Sequence, residues 1–427
     1  MQDEDSSFLA KAFAPQDGDT ILYFTLMTEN RFEKDEEDLT IPYINHNAEK
    51  ISTTIKVRFL AEGAANVLFT ILPVEQDTRP LSPAHLIASN HLLRLRKMNP
   101  KRELATSVNT APTPTYVSAA KLCYFIDTEI APIISSQFLI THLRVGYSEN
   151  FLDKCNSVLR SMERKRMRNP KRQGAYFDDG VTRIGLIVEN MRPNPTEDAI
   201  LFEFKFKWLR QSPGAPLNAR RCRTCAWQIK TGIDQANRYC PLALASGNEK
   251  LVMNQLRRLF KISNIELPTS WSIEKTIGAV TAYFLEPSGG YELLNILSLS
   301  QQELDPSGIL KWVSLPRSIS TRSDSPEFES IVEHSISEYL PHLLKLARAM
   351  TLRDCTAFVR VSRNASNELS LSAKLGDLDP KVVEKEKVLK WAKDELSLNI
   401  DGYYDGTDLI NTTKHPESEN MEVCMLW

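Results

Sequence analysis

Ala199-Ile-Leu-Phe-Glu-Phe-Lys-Phe-Lys-Trp208 alternates strictly between two kinds of side chain. In an extended chain successive side chains point to opposite faces, so Phe202, Phe204, Phe206 and Trp208 share one side. Glu203, Lys205 and Lys207 share the other. The aromatic side must be buried against other elements. The Glu-Lys-Lys side either meets solvent or lines a cleft, and on this stretch alone solvent is the simpler reading.

A second pair of strands is expected downstream. Cys355-Thr-Ala-Phe-Val-Arg-Val-Ser362 and Glu368-Leu-Ser-Leu-Ser-Ala-Lys-Leu375 flank Arg363-Asn-Ala-Ser-Asn367, a run of turn-forming residues. They should form an antiparallel hairpin. Asp354 stands just before the first strand and Asp377 just after the second. A turn centred between residues 365 and 366 sets these two opposite each other, with Cα atoms about 4.5–5.5 Å apart. Carboxylates that close repel unless a cation or a proton intervenes. One acting as base and one holding a metal suits phosphoryl transfer. The plain alternative is a pair of solvated aspartates at the mouth of a hairpin. After Asp377-Leu-Asp-Pro-Lys381 a helix is expected, with Lys381 and Lys385 spaced i, i+4 on one face beside the acids.

Upstream, residues 55–73 read as strand, turn and strand around the small residues of Ala61-Glu-Gly-Ala-Ala-Asn66, where backbone amides can approach a ligand. Alone, this stretch reads as a plain hairpin. Leu92-Leu-Arg-Leu-Arg-Lys97 reads as a strand with Arg94 and Arg96 on one face. Helical periodicity is expected over 115–135, 149–166, 247–262, 290–302 and 326–350, with Pro341 kinking the last. No Walker A sequence and no Gly-x-Gly-x-x-Gly occurs.

The 427 residues are 42% hydrophobic and 25% charged, the balance of a soluble globular protein. With no apolar run of 18 residues, a membrane-spanning helix is not expected. The acidic start lacks the basic and apolar segments of a secretory signal. The formal net charge of −2 conceals an asymmetry, because residues 1–40 carry −8 and the remainder +6. The excess cations gather in two places. Arg160, Arg164, Lys165, Arg166, Arg168, Lys171 and Arg172 form one cluster, and Arg220, Arg221, Arg223 and Lys230 the other. Each is either a solvated face or a surface for an anion.

The seven cysteines fit a reducing compartment better than a disulfide framework. Cys222-Arg-Thr-Cys225 with Cys240 offers three zinc ligands, but no fourth stands at a good spacing. Buried, unligated thiols are therefore the expectation. Cys424-Met-Leu-Trp has the outline of a prenylation box with the wrong last residue, so an ordinary tail is expected.

In order along the chain, these motifs resemble the inositol-pentakisphosphate 2-kinase family, in a fungal-type member, from about 56 to about 400. Glu62-Gly-Ala-Ala-Asn66 is similar to its phosphate-covering loop, Arg94 to its ATP-contacting arginine, and Leu186-Ile-Val-Glu-Asn-Met191 to its hinge strand. Glu203-Phe-Lys-Phe-Lys207 is similar to its Glu-Ile-Lys-Pro-Lys signature. Arg353-Asp354-Cys355 resembles the catalytic aspartate segment, and Asp377-Leu-Asp379 the metal-binding one.

The resemblance implies a two-lobed α+β inositol-phosphate kinase fold distantly similar to protein kinases. It implies a nucleotide-binding N-lobe over 55–192 and a C-lobe with the inositide pocket and catalytic hairpin over 193–427, while the acidic residues 1–54 read as an N-terminal extension of uncertain order with no counterpart in the family. The implied reaction converts inositol 1,3,4,5,6-pentakisphosphate to the hexakisphosphate with ATP and Mg²⁺. Asp354 and Lys205 are then catalytic and Asp377 binds metal. Glu62, Gly63, Ala64, Ala65, Asn66, Arg94, Glu189, Asn190 and Glu203 attend the nucleotide. Arg144, Lys207, Lys230, Lys381 and Lys385 bind the inositide. A monomer in the nucleus or cytoplasm is expected, with neither membrane nor nucleic acid as partner. Three departures stand out. Phe206 replaces the signature proline, Trp227 stands where other members place a substrate-contacting histidine, and no cysteine lies between 286 and 345, where plant members hold zinc.

Overall fold

A computed structural model describes residues 21–27, 52–63, 65–72, 91–97, 119–146, 151–177, 184–194, 196–313, 326–405, 424 and 426. The chain divides into two compact units. Among the described residues, the smaller unit comprises those up to Ile130 together with Ile140–Met191. The larger comprises Ala131–Leu139 and those from Arg192 on. Helices and antiparallel sheets are both present, so the fold is α+β. No described helix is long and apolar enough to cross a membrane.

The smaller unit is a closed antiparallel barrel of β1 (Ile21–Met27), β2 (Ser52–Glu62), β3 (Asn66–Leu72), β4 (His91–Arg96), β5 (His142–Gly146) and β6 (Ile184–Glu189). The strand order is β1-β2-β3-β4-β6-β5, closed by the pair Met27↔Gly146. The sequence reading assigned residues 21–27 to an extension outside the nucleotide-binding lobe. They instead pair along β2, from Ile21↔Arg58 to Met27↔Ser52. The strand face carrying Val57, Phe69, Leu93, Val145 and Ile187 packs with Phe151, Leu152, Cys155 and Leu159 of α2 (Phe151–Arg164). Those four helix positions form one apolar stripe at helical spacing. The helix expected over 115–135 ends early, and residues 115–118 lie outside the described residues. α1 (Ala119–Phe125) continues as a π turn over Ile126–Ile130 and stops before Pro132, which restricts the residue preceding it to extended backbone.

The larger unit contains a three-stranded antiparallel sheet of β7 (Ala199–Lys205), β8 (Thr356–Arg363) and β9 (Leu369–Gly376), in the order β7-β8-β9. Its described helices are α3 (Arg223–Lys230), α4 (Pro241–Leu244), α5 (Glu249–Ile262), α6 (Ile273–Leu285), α7 (Gly290–Leu304), α8 (Ile309–Trp312), α9 (Pro326–Leu352) and α10 (Lys385–Ile400). The aromatic face of β7 is buried as its alternation demands. Phe202 packs on Phe260 of α5 at 4.4 Å between ring centroids, and Phe204 and Phe206 meet Phe284 of α6 edge-on. Each such ring contributes about 1.5–3 kcal/mol through its burial. The helix α9 breaks its regular geometry at Tyr339, two residues before Pro341, where the missing amide and the ring force a kink.

The β8–β9 hairpin forms, but in a register one residue from the expected one. Thr356 faces Gly376 and Arg363 faces Leu369. The turn is the cause. Asn364 accepts from Glu368 through its side chain at 2.9 Å, and Asn367 is left-handed at φ 65°. The loop is therefore the three residues 365–367, an odd number, with asparagine at the left-handed position such turns require.

Candidate active site

At the open end of the β7–β8–β9 sheet, three lysines converge on one carboxylate. Lys205 and Lys207 each donate to Oδ1 of Asp354, at 3.1 and 3.2 Å, and Lys381 donates to Oδ2 at 2.7 Å. Lys205 also donates to Asp377 at 3.3 Å, so one ammonium bridges the two acids. β7 ends at Lys205 and Lys207 follows it with a left-handed backbone at φ 57°, so the alternation expected through Trp208 stops there, yet both ammonium groups face a charged cluster and not bulk water. The slipped register alone would turn Asp354 and Asp377 to opposite faces. It does not, because the ladder ends at Gly376 and Asp377 adopts a left-handed backbone at φ 55°, which re-aims its carboxylate.

The electrostatics follow from this packing. Burial favours the neutral form of Asp354, but Lys207, Lys205 and Lys381 outweigh it and hold the carboxyl well below the usual carboxylate range. Burial likewise opposes the charge of Lys205, yet Asp377 and Asp354 hold it above the ordinary lysine range. Asp377 keeps 45% of its side chain exposed. Two hard carboxylates, one of them open, fit Mg²⁺, which takes one or two protein carboxylates and completes its shell with water and phosphate.

The backbone carrying the lysines is gripped from behind. Tyr239 Oη donates to the Lys205 carbonyl at 2.6 Å. Gln301 Nε2 donates to the Lys207 carbonyl at 3.0 Å, and its Oε1 accepts from Leu209 N at the same distance. These groups were missed at the level of sequence. The available signal for Gln301 is a long polar side chain on the apolar face of α7, which is buried there. Lys381 is fixed through its amide, which donates to Thr351 Oγ1 at 3.0 Å. That bond leaves Lys381 outside any helix. α10 begins only at Lys385, so the expected shared face of Lys381 and Lys385 does not form. Lys385 instead pairs with Glu333 at 2.9 Å.

The second basic cluster is largely internal. Arg223 pairs with Glu395 at 2.7 Å and lies over the Trp208 ring, while Arg353 stacks on the same ring and pairs with Asp305 at 2.8 Å. Lys230 donates to Ser397 of α10 and sits over Trp227. Desolvation lowers its pKa from the ordinary lysine value. Lys230 is thus held at Ser397 of α10, and Lys385 at Glu333 of α9.

In the smaller unit, the β2–β3 connection is a tight turn closed by Gly63 N donating to Asn66 O at 2.8 Å. Ala64 lies outside the described residues. The Glu62 carboxylate points inward, where it is buried against Lys97 and Arg168, with Arg168 Nε at 3.0 Å and Nη2 at 2.7 Å. Arg172 donates to the Glu62 carbonyl. The basic stretch 160–172 is therefore only partly exposed, because Arg168 and Arg172 are buried in this internal network. Arg94 and Arg144 both register against Leu186 of β6. They occupy one face two strands apart, about 10 Å. The Glu189 carboxylate accepts from Thr141 N at 3.3 Å and Oγ1 at 3.2 Å, and Asn190 follows the end of β6.

Glu203 lies on the lysine side of β7, where burial pushes its carboxyl up to about 7 against the pull of Arg192. An acid with a raised folded pKa binds its proton more tightly when folded. Its penalty is therefore absent below the unfolded value, grows as pH rises through 4.5–7, and is complete above that. Glu203→Gln is accordingly expected to gain melting temperature over the unaltered protein at pH 8 and to lose that advantage at pH 4.5. The largest effect is about 3 kcal/mol. Thermal melts across this range check it, and a pH-independent difference would refute the ionisation.

Cys222 and Cys225 lie at the start of α3, Cys240 stands before α4, and all three are buried together with Cys424. The thiols are buried as expected, and a fourth sulfur that sequence spacing did not offer lies beside the first three. The missing partner is 184 residues beyond Cys240 in sequence and adjacent in space.

The comparisons with known proteins bear on this arrangement. A family model described as inositol-pentakisphosphate 2-kinase matches residues 59–396. The chain is also similar to a Yarrowia lipolytica protein named inositol-pentakisphosphate 2-kinase. The two are 27% identical over 246 residues, covering 53% of this chain and 68% of that one.

Proposed function

The chain belongs to the inositol-pentakisphosphate 2-kinase family, and on that premise we propose how its residues transfer the γ-phosphate of ATP to the 2-hydroxyl of inositol 1,3,4,5,6-pentakisphosphate. The observation that carries the reading is the Asp354 carboxylate held by three lysines beside the exposed carboxylate of Asp377.

Five phosphates at about −1.5 to −2 each give the acceptor a charge near −8 to −10. Such a ligand calls for several cations already in place. Asp354 supplies that preorganisation, keeping Lys207 and Lys381 in position before substrate arrives. Substrate phosphates are stronger partners for these ammonium groups than a single carboxylate. As Lys207 and Lys381 turn to them, Asp354 loses part of the field that depresses its pKa. It then becomes a better acceptor for the 2-hydroxyl proton at the moment the hydroxyl is bound. Lys205 stays between Asp354 and Asp377 and offsets charge on the transferred group. Asp377 would hold Mg²⁺, which would supply charge neutralisation to the phosphates. The transition state is loose, so positioning and charge stabilisation carry most of the rate.

In the smaller unit, the turn from Gly63 to Asn66 serves nucleotide phosphates through its backbone, because the Glu62 carboxylate is committed to Lys97 and Arg168. Arg94 and Arg144 act on the anionic ligands from one face of the barrel wall. Glu189 and Asn190 serve the base of the nucleotide.

The test is an end-point assay with Mg-ATP and the pentakisphosphate lacking the 2-phosphate, resolved by anion exchange. A hexakisphosphate peak is expected. Folded protein that binds the inositide without forming that peak would replace the kinase reading with that of a binding scaffold.

A further inference from the structure

Gln301 is a polar residue in an apolar place. It shares the buried face of α7 with Leu294 and Leu297 and is only 1% exposed. A side-chain amide buried that deeply must find partners for both its oxygen and its nitrogen. Gln301 finds them on the main chain that carries the charged cluster. Its Oε1 accepts from Leu209 N at 3.0 Å. Its Nε2 donates to the Lys207 carbonyl at 3.0 Å and, at a longer 3.4 Å, to the Leu352 carbonyl.

This amide does the work of a neighbouring strand. The β7–β8 ladder ends at Lys205↔Thr356, so the Lys207 carbonyl and the Leu209 amide lie beyond its last rung. Lys207 has φ 57°, a left-handed conformation unfavourable for a residue that carries a Cβ. Such a conformation persists where the surroundings hold it. Gln301 holds it from both sides of Trp208, at the carbonyl before and the amide after. The Trp208 ring is covered by the Arg353 guanidinium at 3.5 Å, and Arg353 Nη2 donates to the Gln301 carbonyl at 3.3 Å. Arg353 immediately precedes Asp354. One residue of α7 therefore fastens both the turn that aims Lys207 and the corner that carries Asp354.

We propose that Gln301 is a positioning residue for inositide binding: its amide holds the left-handed turn at Lys207 and so keeps the Lys207 ammonium at Asp354, in place to receive a substrate phosphate. The inference rests on the reading of Lys207 as a substrate cation. The side chain of Gln301 bonds backbone atoms, so its effect on substrate is transmitted through Lys207. Without the amide, the Lys207 carbonyl and the Leu209 N–H lose the partner that satisfies them. The turn then relaxes toward the extended backbone that lysine prefers. The ammonium loses its fixed place, and the inositide must order it on binding, at a cost in affinity. The nucleotide turn from Gly63 to Asn66 belongs to the smaller unit and is untouched by the change.

The experiment titrates the full chain with inositol 1,3,4,5,6-pentakisphosphate by calorimetry, comparing the unaltered protein, Gln301→Met, Lys207→Ala and the double variant. Methionine keeps the length of glutamine and removes its donor and acceptor. Gln301→Met should weaken binding about tenfold, the scale of one hydrogen bond to a charged group. The double variant should bind within about twofold of Lys207→Ala alone, because the two residues act as one unit. In turnover, the inositide KM should rise more than kcat falls, and the ATP KM should hold. Gln301→Asn keeps the amide on a side chain one methylene shorter, and its milder form of the same pattern serves where the methionine variant does not fold. A purely structural role would lower the melting temperature and leave inositide affinity unchanged, or weaken it in full addition to Lys207→Ala. Either result overturns the proposal. The kinase reading fails separately. Unaltered protein that binds the inositide without forming hexakisphosphate removes that reading, and the calorimetric cycle still decides the role of Gln301. Unaltered protein that binds no inositide overturns both.

Discussion

Asp354→Asn is expected to lose about 10²–10⁴-fold in kcat, the range a positioned general base contributes. Asparagine keeps the shape of the side chain and one acceptor oxygen. It cannot take a proton, and it cannot offset three ammonium groups. Lys205, Lys207 and Lys381 then lack their common anion, so the apo site gains net positive charge. Inositide affinity should therefore hold or increase, because the phosphates no longer compete with a carboxylate for Lys207 and Lys381. Steady-state rates combined with calorimetric titration of the inositide distinguish the two effects. Turnover within a few-fold of the unaltered protein would remove Asp354 from the chemistry. Lost binding would reduce it to a scaffold for the lysines.

Lys205→Met should cost about 10²–10³-fold in kcat, the scale seen when one preorganised donor to transition-state charge is removed. Methionine fills similar volume and carries no charge. Lys205 is the ammonium that bridges Asp354 and Asp377, so its loss acts on both acids. Asp354 keeps Lys207 and Lys381 but loses one of the three cations that depress its pKa. Its carboxyl therefore becomes less acidic, and the acid limb of the kcat/KM profile should move to higher pH. The inositide KM should change less than it does in Lys381→Ala, since Lys381 is held at Asp354 and is read as a substrate cation. A pH–rate profile for both variants checks this. An unmoved acid limb in Lys205→Met would show that Asp354 does not set it.

Most of the candidate site was legible in local sequence. The period of two in residues 199–208 requires one buried aromatic face and one polar face, and Phe202, Phe204 and Phe206 are buried while Lys205 and Lys207 face the acids. The hairpin between residues 356 and 376 followed from turn chemistry, but Asp354 and Asp377 share Lys205 at its mouth only because Asp377 takes a left-handed backbone. The register did not follow, because it depends on how many residues the turn spends. Asn367 in the left-handed region sets that number at three. The helical position of Lys381 failed for a similar reason. Its amide is taken by Thr351, 30 residues earlier, and periodicity within a segment cannot register a competing partner outside it.

Local sequence therefore carried the faces of β7, β8 and β9 and the charged side chains at their ends, but not β1 or the helix Ile273–Leu285. Which distant groups complete the site depends on how the elements pack. Glu62 finds Arg168 across 106 residues, Lys207 finds Gln301 across 94, and Cys222 finds Cys424 across 202. Side-chain periodicity carries information over a few residues, because it arises from backbone repeat. Contacts between remote segments arise from the packing of whole elements, which buries a carboxylate or a thiol and so fixes the partner it must have.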